Sequence, residues 1–137
     1  IPRTRSTNAQ GDRNLTNPNN YRAIRFADVL LMAAEAFNKK SSPDDAKALT
    51  YLNRVRTRAF GNTSNNINSS GSTLYENILN ERRVELVGEG HRFFDLVRTG
   101  KAAQEINGFV AGKHELFPIP AIEIQLAGNR WSQNPNY

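Results

Sequence analysis

At 137 residues with a net charge of +5, the chain has room for one domain and a core of useful size, though only 38% of its residues are apolar. The absence of cysteine excludes disulfides, thiolate metal sites and thiol catalysis. No run of eighteen apolar residues and no signal-peptide pattern is present, and arginine is spread through the sequence instead of massed, so nucleic-acid binding is allowed by charge but not urged by it.

Ile1 to Asn20 carries Pro2, Gly11, Pro18 and several Asn with no periodicity, and reads as an irregular lead-in. A start at Ile1-Pro2 without methionine reads as processing or as a piece of something longer. Ile24 to Lys39 has the period of a helix: Phe26, Leu30, Ala33 and Phe37 centre an apolar stripe flanked by Ala27, Val29, Leu31 and Ala34. Its arc covers more than half the wheel and predicts a helix sandwiched between neighbours. Asp28 and Glu35 share the narrow remaining face and suit an arginine from the next helix better than acid–base chemistry.

Ser41-Ser42-Pro43-Asp44-Asp45 has the composition of a helix start, with a serine cap, proline at the first helical position and acids in the first turn. The helix should end at Gly61, and its short connection to the preceding one predicts a helical hairpin. Arg56 falls inside the apolar sector with Leu49, Leu52 and Val55, which makes it a candidate partner for Asp28, Glu35 or the acids of the third helix. Residues 61–72, GNTSNNINSSGS, read as an exposed flexible loop.

Thr73 with Glu76 forms a capping-box pattern for the third helix, whose apolar sector (Leu74, Tyr75, Ile78, Leu79, Leu86) also contains Arg82, Glu85 and Glu89. Charges on a core-facing stripe have to be paired or solvated, so a structural ion network is expected here, comprising Asp28, Glu35, Arg56, Arg82, Glu85, Glu89 and Arg92. Gly88 and Gly90 predict a sharp corner into a fourth helix from His91 to Thr99, where Arg92 and Asp95 can pair on the surface or reach into the corner. His91 beside Glu89 and Asp95 reads as a salt-bridged helix-start residue, not as an acid–base catalyst.

Ala102 to Gly108 allows another turn or two. Leu116 to Pro120 must be extended, because each residue before a proline is pushed out of the helical region, and Pro120 then opens a short helix, AIEIQLA, ended by Gly128. Trp131 and Tyr137 in the polar tail suit an anchor onto a core better than a sugar platform. No spacing in the chain provides a catalytic residue, a metal site or a cofactor motif.

Five blocks taken together, RFADVLLMAAEAFNK, YLNRVRTRA, ILNERRVELVGEGHRFFDLVRTGKA, LFPIPAIEI and QNPNY, resemble in order and approximate spacing the C-terminal region of the SusD/RagB family, from Arg25 to Tyr137. The resemblance implies an all-α fold of tetratricopeptide-like helical hairpins with irregular loops, with residues 1–20 as lead-in and 21–137 as the helical region. It also implies a non-catalytic, lipid-anchored nutrient-capture protein on the cell-surface side of the outer membrane in Bacteroidetes. Its partners would be a glycan or peptide ligand, a SusC-like TonB-dependent transporter, and the N-terminal part of the same protein, which carries the anchor and is absent here; no nucleic acid is implied. No ligand-binding residue carries over, and the five blocks look like scaffold. From the residues alone, a helical-hairpin interaction module or a basic nucleic-acid-binding domain remains open.

Overall fold

The computed structural model describes residues 23–128 and 130–137, so the expected irregular lead-in lies outside the described residues. Among them there is no strand, and six helices follow in order: α1 (Phe26–Lys39), α2 (Asp45–Phe60), α3 (Gly71–Glu85), α4 (Arg92–Arg98), α5 (Ala102–Glu105) and α6 (Ala121–Leu126). The all-α expectation is met. Two units divide at Ile78 and Leu79.

In the first unit α1 and α2 pack as a hairpin. Ala48, Leu52 and Val55 recur at spacings of four and three, which places them on one face of α2. They meet Leu30, Leu31 and Ala34 of α1, with Leu74 and Ile78 from the first half of α3 completing the cluster. Leu31, Leu52, Leu74 and Ile78 are each fully buried, and burial of such a side chain contributes about 1.5 to 3 kcal/mol. Phe37 stacks on Tyr51 with ring centroids 5.6 Å apart.

α1 departs from the expected sandwich. Its buried line runs through Asp28, Leu30, Leu31, Ala34 and Asn38, while Phe26 (61% exposed), Val29 and Met32 face outward. A helix packed in one hairpin covers one side, and Leu31 and Ala34 are the side chosen, which carries Asp28 inward with them. The start of α2 also differs. Asp44, not a serine, is the cap, with the Lys47 N–H donating to its carboxylate at 3.0 Å, and Pro43 falls before the helix. A carboxylate placed to accept a free first-turn N–H outcompetes a hydroxyl further upstream. Gly61 ends α2 in the left-handed region at φ 72°, as expected.

α3 begins at Gly71, two residues before the expected cap at Thr73. The reason lies in α1 and α2: the Gly71 N–H donates to Asp45 at 2.7 Å, and the Asn38 amide donates both to Asp45 and to the Gly71 carbonyl, at 2.8 and 3.1 Å. The polar loop before it is tied to α2. Asn53 and Ile67 exchange two hydrogen bonds of 2.8 Å, Arg56 donates to the Asn65 carbonyl at 2.8 Å, and Ile67 packs against the core.

In the second unit, α3 continues through buried Leu79, Glu81 and Arg82 and ends at Glu85, earlier than Gly88. Residues 86–90 form the turn that brings the chain to α4, with Gly88 and Gly90 at φ 78° and 82°. α4 and α5 pack together, and α6 follows residues 117–120, which are in no helix; Leu116, expected in the extended run, instead closes a turn onto the Lys113 carbonyl.

Candidate functional site

Two features of the second unit bring polar chemistry and open space together. The first is the corner between α3 and α4. Arg82 lies on the apolar side of α3, as its wheel position requires, and is 5% exposed. Its Nε donates to Asp95 Oδ2 of α4 at 3.1 Å. Arg98, one turn along α4, donates to the other carboxylate oxygen at 2.7 Å. Asp95 is thus held from both sides by planar, permanently charged guanidinium groups, an arrangement suited to fixing a helix junction. Of the two options open to Asp95, the structure takes the one reaching into the corner. Arg92 donates instead to Glu105 of α5 at 3.1 Å, on the surface.

Beside this pair opens a cleft of about 540 Å³ lined by Arg82, Arg83, Val84, Leu86, Val87, His91, Arg92, Phe93 and Asp95. Val84 and Val87 are more than 70% exposed. His91 sits half-buried immediately before α4 and makes no side-chain cap bond there. The lining offers apolar surface and cations but no nucleophile set against a base.

The second feature is a smaller groove of about 270 Å³ between Phe93, Ile106, Asn107, Phe109, His114, Leu116, Phe117 and Tyr137. Phe93 touches Phe117 and Phe109 at centroid distances of 5.8 and 6.5 Å, and His114 stands edge-on to Phe109. His114 Nδ1 accepts the Val110 N–H at 3.0 Å, which fixes its ring. Four polar residues of the tail block QNPNY close this region by reaching back to backbone. Gln133 exchanges two 2.8 Å bonds with Ile119, Asn134 donates to Phe117, Asn136 to Gly112, and the Tyr137 hydroxyl to Leu116. Tyr137 is therefore a tail anchor, while Trp131 is 55% exposed.

The seven residues expected to form an ion network divide between the units. Asp28 is buried on α1, Glu35 is half-buried on the same helix, and Arg56 on α2 spans from Asn65 to the Phe60 ring. Arg82, Glu85, Glu89 and Arg92 belong to the second unit. Arg82 finds its partner in Asp95, a residue outside the expected set. The signal for it was available: Asp95 is one turn before Arg98 and one residue before the core residue Leu96. Sequence reasoning also missed the backbone targets of Asn53 and Gln133. Among the described residues no group of three or more His, Asp or Glu is placed to hold a metal ion, and no helix is long and apolar enough to cross a membrane.

The profile of the SusD family matches residues 2–116. Two SusD-like proteins of Formosa agariphila are 34% and 37% identical to the chain over 93% and 75% of its length. A SusD-like protein of Bacteroides ovatus is 37% identical over 61% of it. Among solved structures, a SusD homologue from Bacteroides thetaiotaomicron superposes on 87% of the chain with a TM-score of 0.75 and 36% identity. The chain spans 28% and 21% of the lengths of the Formosa relatives and 26% of the solved homologue. With helices where the five blocks require them and a family match over most of its length, the chain belongs to the SusD family.

Proposed function

We propose that this chain is the scaffold portion of a nutrient-binding protein of the outer membrane, which captures a glycan or related oligomer for a SusC-like transporter and catalyses nothing. The observation that carries this reading is where the polar side chains of the family-like blocks are spent. Gln133, Asn134, Asn136 and Tyr137 all bond to backbone of the same unit, and Arg82, Asp95 and Arg98 bond to one another. Groups committed in this way hold a fold and are not free to recognise a ligand. Family membership supports nutrient capture as the purpose of the scaffold.

Three further assignments belong to the same reading. Asp28, Glu35 and Arg56 serve structure in the first unit, and Glu85, Glu89 and Arg92 serve it in the second, which also holds the Arg82–Asp95 pair. The exposed valines of the corner cleft face further chain of a longer SusD-like protein, to which a lipid anchor would also belong. Ligand contacts lie chiefly outside these residues. A nucleic-acid role finds support only in net charge, since Arg82, Arg92 and Arg98 each hold a carboxylate.

The test is a titration of oligosaccharides and oligopeptides into these 137 residues alone and into the same chain joined to whatever flanking sequence its gene encodes. Binding by the longer protein, much weaker binding by this region, and co-purification of the longer protein with an outer-membrane barrel are the expected results. Hydrolysis of any ligand, or full affinity in this region alone, would overturn the reading.

A further inference from the structure

The sequence contains a single Asn-Gly step, Asn107-Gly108, and the fold leaves it unusually open. Both residues are exposed, in the turn that follows α5. Among the described residues no hydrogen bond holds the Asn107 amide or the Gly108 N–H. Gly108 adopts φ 78°, and a Cβ placed on it would meet nothing within 4 Å, so no neighbouring group crowds that side of the turn. Other exposed asparagines differ on these points. Asn62 is bonded to Phe60 and Ser64 and is followed by Thr63, and Asn66 accepts from Thr57 and is followed by Ile67.

We propose that Asn107 is a site of spontaneous modification, deamidating through a cyclic imide formed with Gly108. The Gly108 backbone nitrogen loses its proton to solvent base and attacks Asn107 Cγ. The new N–Cγ bond forms as the Cγ–Nδ2 bond breaks, and the amide nitrogen departs as ammonia after taking a proton from water. Water then opens the five-membered imide at either carbonyl, leaving aspartate or isoaspartate. No oxidant, reductant or enzyme is needed, and the rate rises with pH because the attacking nitrogen must be deprotonated. An unhindered glycine nitrogen lowers the steric barrier, and an exposed loop end permits the rotation that brings Cγ to it.

The position gives the modification a consequence. Asn107 lies on the rim of the groove formed by Phe93, Phe109, His114 and Phe117. Conversion places a carboxylate beside a largely aromatic groove whose lining holds none, lowers the net charge of the chain by one from +5, and in the isoaspartate form inserts an extra methylene into the backbone there.

The experiment incubates the folded chain and the same chain unfolded in urea at neutral and mildly alkaline pH, with peptide mapping by mass spectrometry. In the folded chain the peptide containing Asn107 is expected to convert before any other asparagine peptide, faster at the higher pH. Its rate should be no more than about tenfold below the unfolded chain, equivalent to about 1.4 kcal/mol of added barrier. Asn107→Gln, which cannot form the five-membered ring readily, should abolish the conversion with unfolding unchanged, and Gly108→Ala should slow it. Persistence of the Asn107 amide in the folded chain while the unfolded chain converts would overturn the proposal, as would earlier conversion at another asparagine.

Discussion

Arg82 and Asp95 form a buried ion pair at 3.1 Å, with side-chain exposures of 5% and 12%. It links the end of one helix to the middle of the next. By contrast Arg92 and Glu105, also 3.1 Å apart, are 39% and 45% exposed. Distance is the same, and burial decides the energetics. Asp95→Ala removes a buried carboxylate that both Arg82 and Arg98 hold, and should cost about 3 to 5 kcal/mol. Glu105→Ala should cost less than about 1 kcal/mol, because water replaces the lost partner. Urea unfolding of the two variants checks this, and equal losses would mean that the Arg82 site is wet.

Gln133 closes two hydrogen bonds on the backbone of Ile119, both 2.8 Å, and its oxygen also accepts the Asn134 N–H at 2.9 Å. Gln133→Ala leaves the Ile119 N–H and carbonyl without these partners, and should cost about 1 to 3 kcal/mol locally. Amide exchange at Ile119 should accelerate in the variant, while exchange at Leu52, in the first unit, should not change. Unchanged exchange at Ile119 would mean that the tail does not clip this segment.

These two cases show what was legible in the sequence. Arg82 was visible because a charge on a helix's apolar side breaks the helical period, and a broken period demands a partner. Asn53 and Gln133 were not visible. Their amides bond to backbone fourteen residues away in sequence, and a backbone target leaves no residue-type signature. The same blindness made residues 61–72 read as a free loop, and left the anchoring of the tail to its aromatic residues alone. Helix existence followed from apolar spacing, as for Ala48, Leu52 and Val55, and Gly61 ended α2 for its backbone freedom. Which side of α1 is buried did not follow, since Phe26 and Leu31 are both apolar and only the position of the neighbouring helix chooses between them.

Glu115 provides a pH signature for the loop after α5. The Gly112 N–H donates to its carboxylate at 3.0 Å, and this bond, aided by the backbone N–H of Glu115 itself, holds the carboxyl below its ordinary value although the side chain is in water. A group whose folded pKa is lowered contributes stability above its unfolded pKa and loses it as pH falls through the folded one. Carbon NMR should therefore show Glu115 titrating at lower pH in the folded chain than in urea. Coincident titration curves would mean the bond is absent in solution.

Gly88 and Gly90 set the corner itself. Both lie in the left-handed region, at φ 78° and 82°, and a Cβ at either would meet nothing within 4 Å. Space is therefore not the constraint, and backbone conformation is. An alanine held in this region should cost about 1 to 2 kcal/mol at each position, while asparagine, which tolerates the conformation better, should cost less. The ordering matters more than the size. If packing dictated glycine, asparagine would be worse than alanine because it is larger. If φ dictates it, asparagine is the milder change. Thermal unfolding of Gly88→Ala, Gly88→Asn, Gly90→Ala and Gly90→Asn separates the two cases, and alanine is expected to be the more damaging of each pair. The double alanine variant should also loosen the Arg82–Asp95 pair, because the chain between α3 and α4 would relax from the turn that brings Asp95 to Arg82. Faster exchange of the Arg82 Nε proton in that variant is the expected readout, and a pair left intact would show that packing of α4 alone is enough to hold the corner.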